Sequence, residues 1–376
     1  MTLHIFNPEH DIALASGLSN FTAPHAGRQL RHDLGFLPAV WAADGDAVVV
    51  DDVALAERIW LRMAPRIERM LGSECFHDRN IQFLQWKQLV SCRETTSVAP
   101  WGWNSALRAT LLRHGVAEPL LPLTEQIATM RELSHRRTAA HLLSKLRLQG
   151  TVGEAFECRT AGGVDELSRR YGRVVLKAPW SSSGRGLRFI DTQRLPQDGR
   201  CLPANVGRWQ AGVITSQGSV MVEPYYNKVK DFGMEFVSDG CGHVRYLGLS
   251  LFHTSNGAYT GNVLATEAVK RDMLSRYVTV ELLHAVQDRV CEETARLFNG
   301  RYRGPFGVDM MVCAAPGTHG GMAGDKCFLL HPCVELNLRR TMGHVALALT
   351  PTDDDIRCVM RMEYHEDNYH LKISKL

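Results

Sequence analysis

The chain has 376 residues, 45% of them apolar and 22% charged, which is too long for one ordinary hydrophobic core and fits two or three subdomains around a cleft. Its 43 Lys and Arg against 40 Asp and Glu leave a net charge of +3, too balanced for nucleic acid or a membrane surface as the main partner, while small anions stay open. Ten scattered cysteines without a C-x-x-C pair read as reduced thiols rather than a disulfide framework or zinc ribbon. The N-terminus "MTLHIFNPEHD" has no basic leader before a long apolar stretch, and no run reaches the ~18 apolar residues of a membrane span, so a cytoplasmic protein is expected.

In chain order, short apolar runs such as Leu3–Phe6 and Ala47–Val50 alternate with helix-like segments up to about residue 120, which predicts an open α/β domain over 1–120. The prolines of "EPLLPL" mark its boundary. A helix is predicted over Thr124–Leu148, then the strand "RVVLK", the loop "APWSSSGRG" and the strand "LRFI", within a lobe spanning 121–218. A second lobe, 219–350, opens on "SVMVEPYY" and contains an amphipathic helix over Tyr277–Phe298, with Leu283, Val286 and Val290 at helical spacing. That helix leads into the strands "GPFGVDMMV" and "KCFLLHPCVELNL", most simply an antiparallel hairpin; residues 351–376 read as a tail.

The serine- and glycine-rich loop after Lys177 offers backbone N–H groups that can converge on phosphate oxygens, with the lysine as a point charge. Read alone it is also compatible with a hairpin turn beside a surface lysine. No G-x-x-x-x-G-K-[ST] occurs, which excludes a P-loop, and "GRG" lacks the third glycine and downstream acid of a dinucleotide fingerprint; a protein kinase is excluded because the glycine loop follows the lysine and no H-R-D precedes Asp231-Phe232-Gly233. Glu335 and Asn337 alternate on one predicted strand face, which either marks a solvated face or, if the hairpin register adds Asp309 from the neighbouring strand, gathers carboxylate and amide oxygens that suit Mg²⁺. Arg339 extends the alternation, either beside phosphates or as an interdomain salt bridge.

Taken in order, Lys177, the loop, "VMVEPYY", Asp231, the long helix, "GPFGVDMMV" and "VELNLRR" resemble the ATP-grasp superfamily over residues 124 to 350. The resemblance implies an α/β plus α+β chain, an ATP-grasp fold behind an N-terminal open α/β domain, with ATP and Mg²⁺ as cofactors. It implies Lys177 on the α- and β-phosphates, and Ser181, Ser182, Ser183, Gly184 and Gly186 as the phosphate-covering loop. Glu223 and Tyr225 fall at the adenine-binding hinge and Asp231 at the ribose; Asp309, Glu335 and Asn337 match the metal ligands, and Arg339, with Lys177, the catalytic cations. The family's early helix lysine is missing from "SHRRT", where Arg136 or Arg137 substitutes, and the long interval between Asp309 and Glu335 implies an extended hairpin tip.

The implied activity is a carboxylate-amine ligase working through an acyl-phosphate on small molecules, with a small-molecule kinase and a non-catalytic nucleotide-binding protein as alternatives. Substrates and oligomeric state are left undefined. For the substrate side, "NPEHD" either turns Asn7, Glu9 and His10 to the cleft or starts a helix with Asn7 as N-cap and Pro8 at N1. "WGWN", Trp101 to Asn104, is an aromatic wall or a core-anchored turn, and "FHTSNGAYTGN", Phe252 to Asn262, can cover an acceptor. His25, Arg28 and His32 could hold a carboxylate, or are simply solvated.

Overall fold

The computed structural model describes residues 1–72, 76, 78–181, 186–194, 202–255, 258–315 and 328–376. Three sheets organise them. The first is parallel, with β1 (Thr2–Ile5), β2 (Ala47–Val50), β3 (Gln82–Gln85) and β4 (Ser97–Pro100) in the order β3-β2-β1-β4. Parallel pairing requires long crossovers, and the longest helix here, Val53–Leu71, starts where the Asp52 carboxylate accepts the Leu55 N–H. Every residue of β2 is buried, as strands covered on both faces must be.

The second sheet is antiparallel and joins β5 (Phe156–Cys158), β6 (Arg173–Lys177), β7 (Leu187–Asp191) and β8 (Val220–Pro224) in the order β5-β8-β6-β7. Val174, Leu176, Ile190, Val220 and Val222 pack one face against the helices Ala161–Tyr171 and Ala204–Gln217. Strand alternation sends Lys177 and Glu223 to the other face.

The third sheet has seven antiparallel strands: β9 (Lys228–Ser238), β10 (Val244–Ser255), β11 (Ala258–Leu264), β12 (Gly304–Ala314), β13 (Phe328–Asn337), β14 (Cys358–His365) and β15 (Asn368–Lys375). Their order is β13-β12-β9-β10-β11-β14-β15. Phe232, Met234, Phe236, Val308 and Met310 point to one face, where Leu283, Val286 and Val290 of the helix Val280–Phe298 bury them. Asp231, Gly233, Glu235, Asp309, Glu335 and Asn337 therefore share the opposite face.

Two expectations change. The helix over Thr124–Leu148 is divided into Thr124–Leu133 and Arg136–Lys145, because the His135 ring accepts the Arg137 N–H at 3.0 Å and begins a new helix. Residues 351–376, read as a tail, supply β14 and β15, and their Met360 and Ile373 join Trp60 and Leu71 in the N-terminal core. Apolar alternation here is short and interrupted by charge, so its burial becomes visible only against the first sheet's helices.

Candidate functional site

The antiparallel register of β12 and β13 sets Asp309 directly opposite Glu335 and Gly307 opposite Asn337. Across β12 the next strand contributes Gly233 and Glu235, so two glycines lie among three carboxylates. A Cβ on Gly307 would stand 2.5 Å from a Glu235 oxygen, and the floor is open because that position has none. Burial first, then Glu335 and Glu235, push the Asp309 carboxyl up to about 8, and the Asn337 amide donates to it at 3.1 Å. Among the described residues no three His, Cys, Asp or Glu form a metal cage. The set that does converge is two carboxylates and an amide, hard oxygen donors whose crowded negative charge suits a divalent cation such as Mg²⁺.

On the facing lobe the Lys177 ammonium meets Glu223 at 2.6 Å, both side chains nearly closed from solvent. Behind them His331 is buried with neither ring nitrogen bonded, and burial followed by Lys177 lowers it to about 3. Tyr225 is half-exposed; Arg173 covers its ring at 4.1 Å, and its N–H donates to the Arg173 carbonyl. Asp231, two residues before Gly233 on the same strand face, accepts from Lys228 and Thr254, each at 2.6 Å. Ser182, Ser183 and Gly184, like residues 316–327, where an extended hairpin tip was expected, lie outside the described residues. Gly186 is described and closely packed: a Cβ there would fall 2.2 Å from the Ser181 hydroxyl.

Arg136 joins the two sides. Its guanidinium donates to the Ala178 carbonyl at 2.5 Å, to the Ser181 hydroxyl at 2.7 Å and to Glu335 at 2.7 Å. Arg137 turns away to Glu132 and Glu157, so of the two arginines in "SHRRT" Arg136 is the one that faces the loop and the acidic pair. Arg339 forms the interdomain salt bridge, a fork on Asp11 at 2.7 and 2.8 Å, and also reaches Asn337 at 3.2 Å. Burial opposes its charge, but Asp11 outweighs that and raises its pKa.

Sequence reasoning missed Asp11. In "NPEHD" the cleft reading holds for His10 alone, which lines a pocket with Asp11, Ser181, Glu335 and Asn337; Asn7 is buried against the Gly102 backbone, Glu9 pairs with Arg31, and the helix begins only at His10, so Asn7 is not its N-cap. The signal available was an acid one residue beyond the segment's other polar groups, at the carboxyl end of β1. Trp101 is buried edge-on to Phe6, and Asn104 caps the next helix by accepting the Leu107 N–H, which supports the core-anchored turn. Phe252, Thr254, Tyr259 and Asn262 do line the cleft, a space of about 310 Å³ that Glu235, Asp309 and Arg339 share. Arg28 donates to the Ala23 carbonyl and His32 pairs with Asp33; neither lines this cleft.

No family model and no curated protein matches the sequence. Solved structures resemble it in fold. N5-carboxyaminoimidazole synthetase from Staphylococcus aureus, complexed with ADP, is 11% identical over 87% of this chain and 84% of its own, with a TM-score of 0.44. A biotin carboxylase from Campylobacter jejuni, in a beta-gamma-ATP complex, is 13% identical over 84% and 75%, with a TM-score of 0.48. A protein from Archaeoglobus fulgidus, provisionally assigned to the ATP-grasp superfamily, is 14% identical over 79% and 82%, with a TM-score of 0.39.

Proposed function

We propose that the chain is an ATP-grasp enzyme, a Mg²⁺- and ATP-dependent carboxylate-amine ligase acting on small molecules. The observation that carries this is Arg136, whose single guanidinium bonds both Ser181 of the glycine-rich loop and Glu335 of the acidic pair, so loop and acids belong to one site. In this reading residues 1–120 form the preceding α/β domain, 121–218 the lobe that covers phosphate, and 219–350 the hinge and metal-bearing lobe, completed by the last two strands.

Lys177 and Arg136 exchange their carboxylate partners for phosphate oxygens when nucleotide enters, under the loop of Ser181, Ser182, Ser183, Gly184 and Gly186. Glu223 and Tyr225 flank the base, and Asp231 holds the ribose. Asp309, Glu335 and Asn337 would hold Mg²⁺, which supplies charge neutralisation along the phosphates. Arg339, oriented by Asp11, stabilises negative charge on the transferring phosphate. A substrate carboxylate attacks the γ-phosphate and expels ADP as the bond from the γ-phosphorus to the bridging oxygen breaks, and an amine, giving up a proton, displaces phosphate from the resulting acyl-phosphate. Catalysis by positioning and charge needs no nucleophilic side chain.

Two measurements test it. Lys177→Ala should weaken ATP binding roughly 10- to 100-fold by calorimetry, while Glu335→Gln keeps more of the binding and loses ADP release. Unchanged affinity in Lys177→Ala removes that lysine from the site. Hydroxylamine should trap the activated acid as a hydroxamate when pools of amino and hydroxy acids drive ADP release. A stable phosphate ester without hydroxamate would replace the ligase by the kinase.

A further inference from the structure

Arg339 and Arg340 are consecutive, yet their guanidiniums are in different company. Arg339 is fully engaged in the cleft. Arg340 lies over the Trp41 ring, 4.8 Å from its centroid, and among the described residues its guanidinium has neither an ion-pair nor a hydrogen-bond partner. Burial lowers it, to about 10, which leaves it charged at neutral pH. A half-buried guanidinium with no anion beside it is an uncommon arrangement, since desolvation is then uncompensated except by the ring face.

Arg340 lines a groove of about 740 Å³ between the end of β4 and the turns at Asp239–Cys241 and Gly300–Pro305. Arg301 and Arg303, both exposed, stand on its rim, and among the described residues neither has an ion-pair partner. The acid in the groove, Asp239, is already occupied by the N–H groups of Cys241 and His243 and by the His243 ring at 3.2 Å. Trp101 and Leu338 add apolar wall.

We propose that this groove binds a small anion, a carboxylate or a phosphate ester, whose oxygens pair with Arg340 and the rim arginines. Guanidinium forks match both oxyanions. Such a ligand would also be linked to the cleft, because Arg339 lines both spaces, the Arg340 carbonyl accepts a hydrogen bond from Arg339 at 3.0 Å and the Arg340 N–H is held by the Trp101 carbonyl.

Calorimetry on the nucleotide-free protein with citrate and with pyrophosphate tests the proposal, the two probes separating carboxylate from phosphate preference. At least one should bind, with affinity lowered about 10-fold or more by Arg340→Met and unchanged by Lys177→Ala. Arg340→Met should melt no lower than the parent, because it removes an unpaired charge and keeps a long apolar stem over Trp41. Should that variant fail to fold, the exposed pair Arg301→Gln and Arg303→Gln must weaken the same binding. The proposal is overturned if neither probe binds at millimolar concentration, or if binding survives the arginine changes and disappears in Lys177→Ala.

Discussion

Asp11 and Arg339 are 328 positions apart and meet as a two-pronged ion pair across the cleft. Burial alone would raise the Asp11 carboxyl, and the Arg339 guanidinium more than offsets this and lowers it. Asp11→Asn removes the charge while keeping the shape, which leaves a buried guanidinium short of its counter-ion. The expected cost is roughly 1–3 kcal/mol in denaturant unfolding, with a larger relative loss in turnover than in ATP affinity. A double cycle with Arg339→Met checks the cause, since additive effects would mean that the two side chains do not act together. Arg339 was legible as the third member of an alternating E-x-N-x-R strand. Its partner was not, because the side-chain direction of Asp11 depends on where the helix His10–Ser16 begins.

Among the elements, the β12–β13 hairpin was readable from two runs of apolar alternation around a glycine-rich connection, and the register confirms Asp309 opposite Glu335. Composition pointed to a glycine loop, but not to the reason Gly186 must be glycine. Ser181 packs where a Cβ would go and simultaneously accepts from Arg136. Gly186→Ala should therefore displace Ser181, disturb the Arg136 bridge and weaken ATP binding by about 10-fold while leaving the circular dichroism spectrum unchanged. Parent-like ATP affinity in that variant would show the close packing to be dispensable. The break at Ser134–His135 escaped detection because apolar spacing continues across it; a histidine acting as helix cap carries little pattern of its own.

For the whole molecule, burial of histidine sets an acid limit. His10, His135 and His331 are each pulled down chiefly by burial, to about 4, 4 and 3. Because these values lie below that of an exposed imidazole, near 6.5, the unfolded chain binds more protons. Stability is therefore full above about pH 6.5 and falls as pH drops toward 4, each histidine contributing ~1.4 kcal/mol per pH unit. Unfolding measured at pH 7, 6 and 5 should show this loss, and His331→Leu should flatten it by one histidine's share. An unaltered slope in the variant would assign the acid sensitivity to carboxylates instead.

Composition, charge and residue order were enough to expect an α/β region before a two-lobed region and, through the family resemblance, to single out Lys177, Asp309, Glu335, Asn337 and Arg339; strand alternation is local and fixed that Glu335 and Asn337 share a face. Pairings between distant segments obey no such period. That Lys177 rests on Glu223 followed only from the pairing of β6 with β8, and that Arg136 rather than Arg137 bridges loop and acids and that Arg340 is left without an anion only from how the sheets and helices pack. The last two strands belong to the same class of fact. Their apolar residues are few, and they gain a buried face only because helices from the opposite end of the chain lie against them, so burial at Met360 and Ile373 is decided by tertiary contact rather than by local pattern.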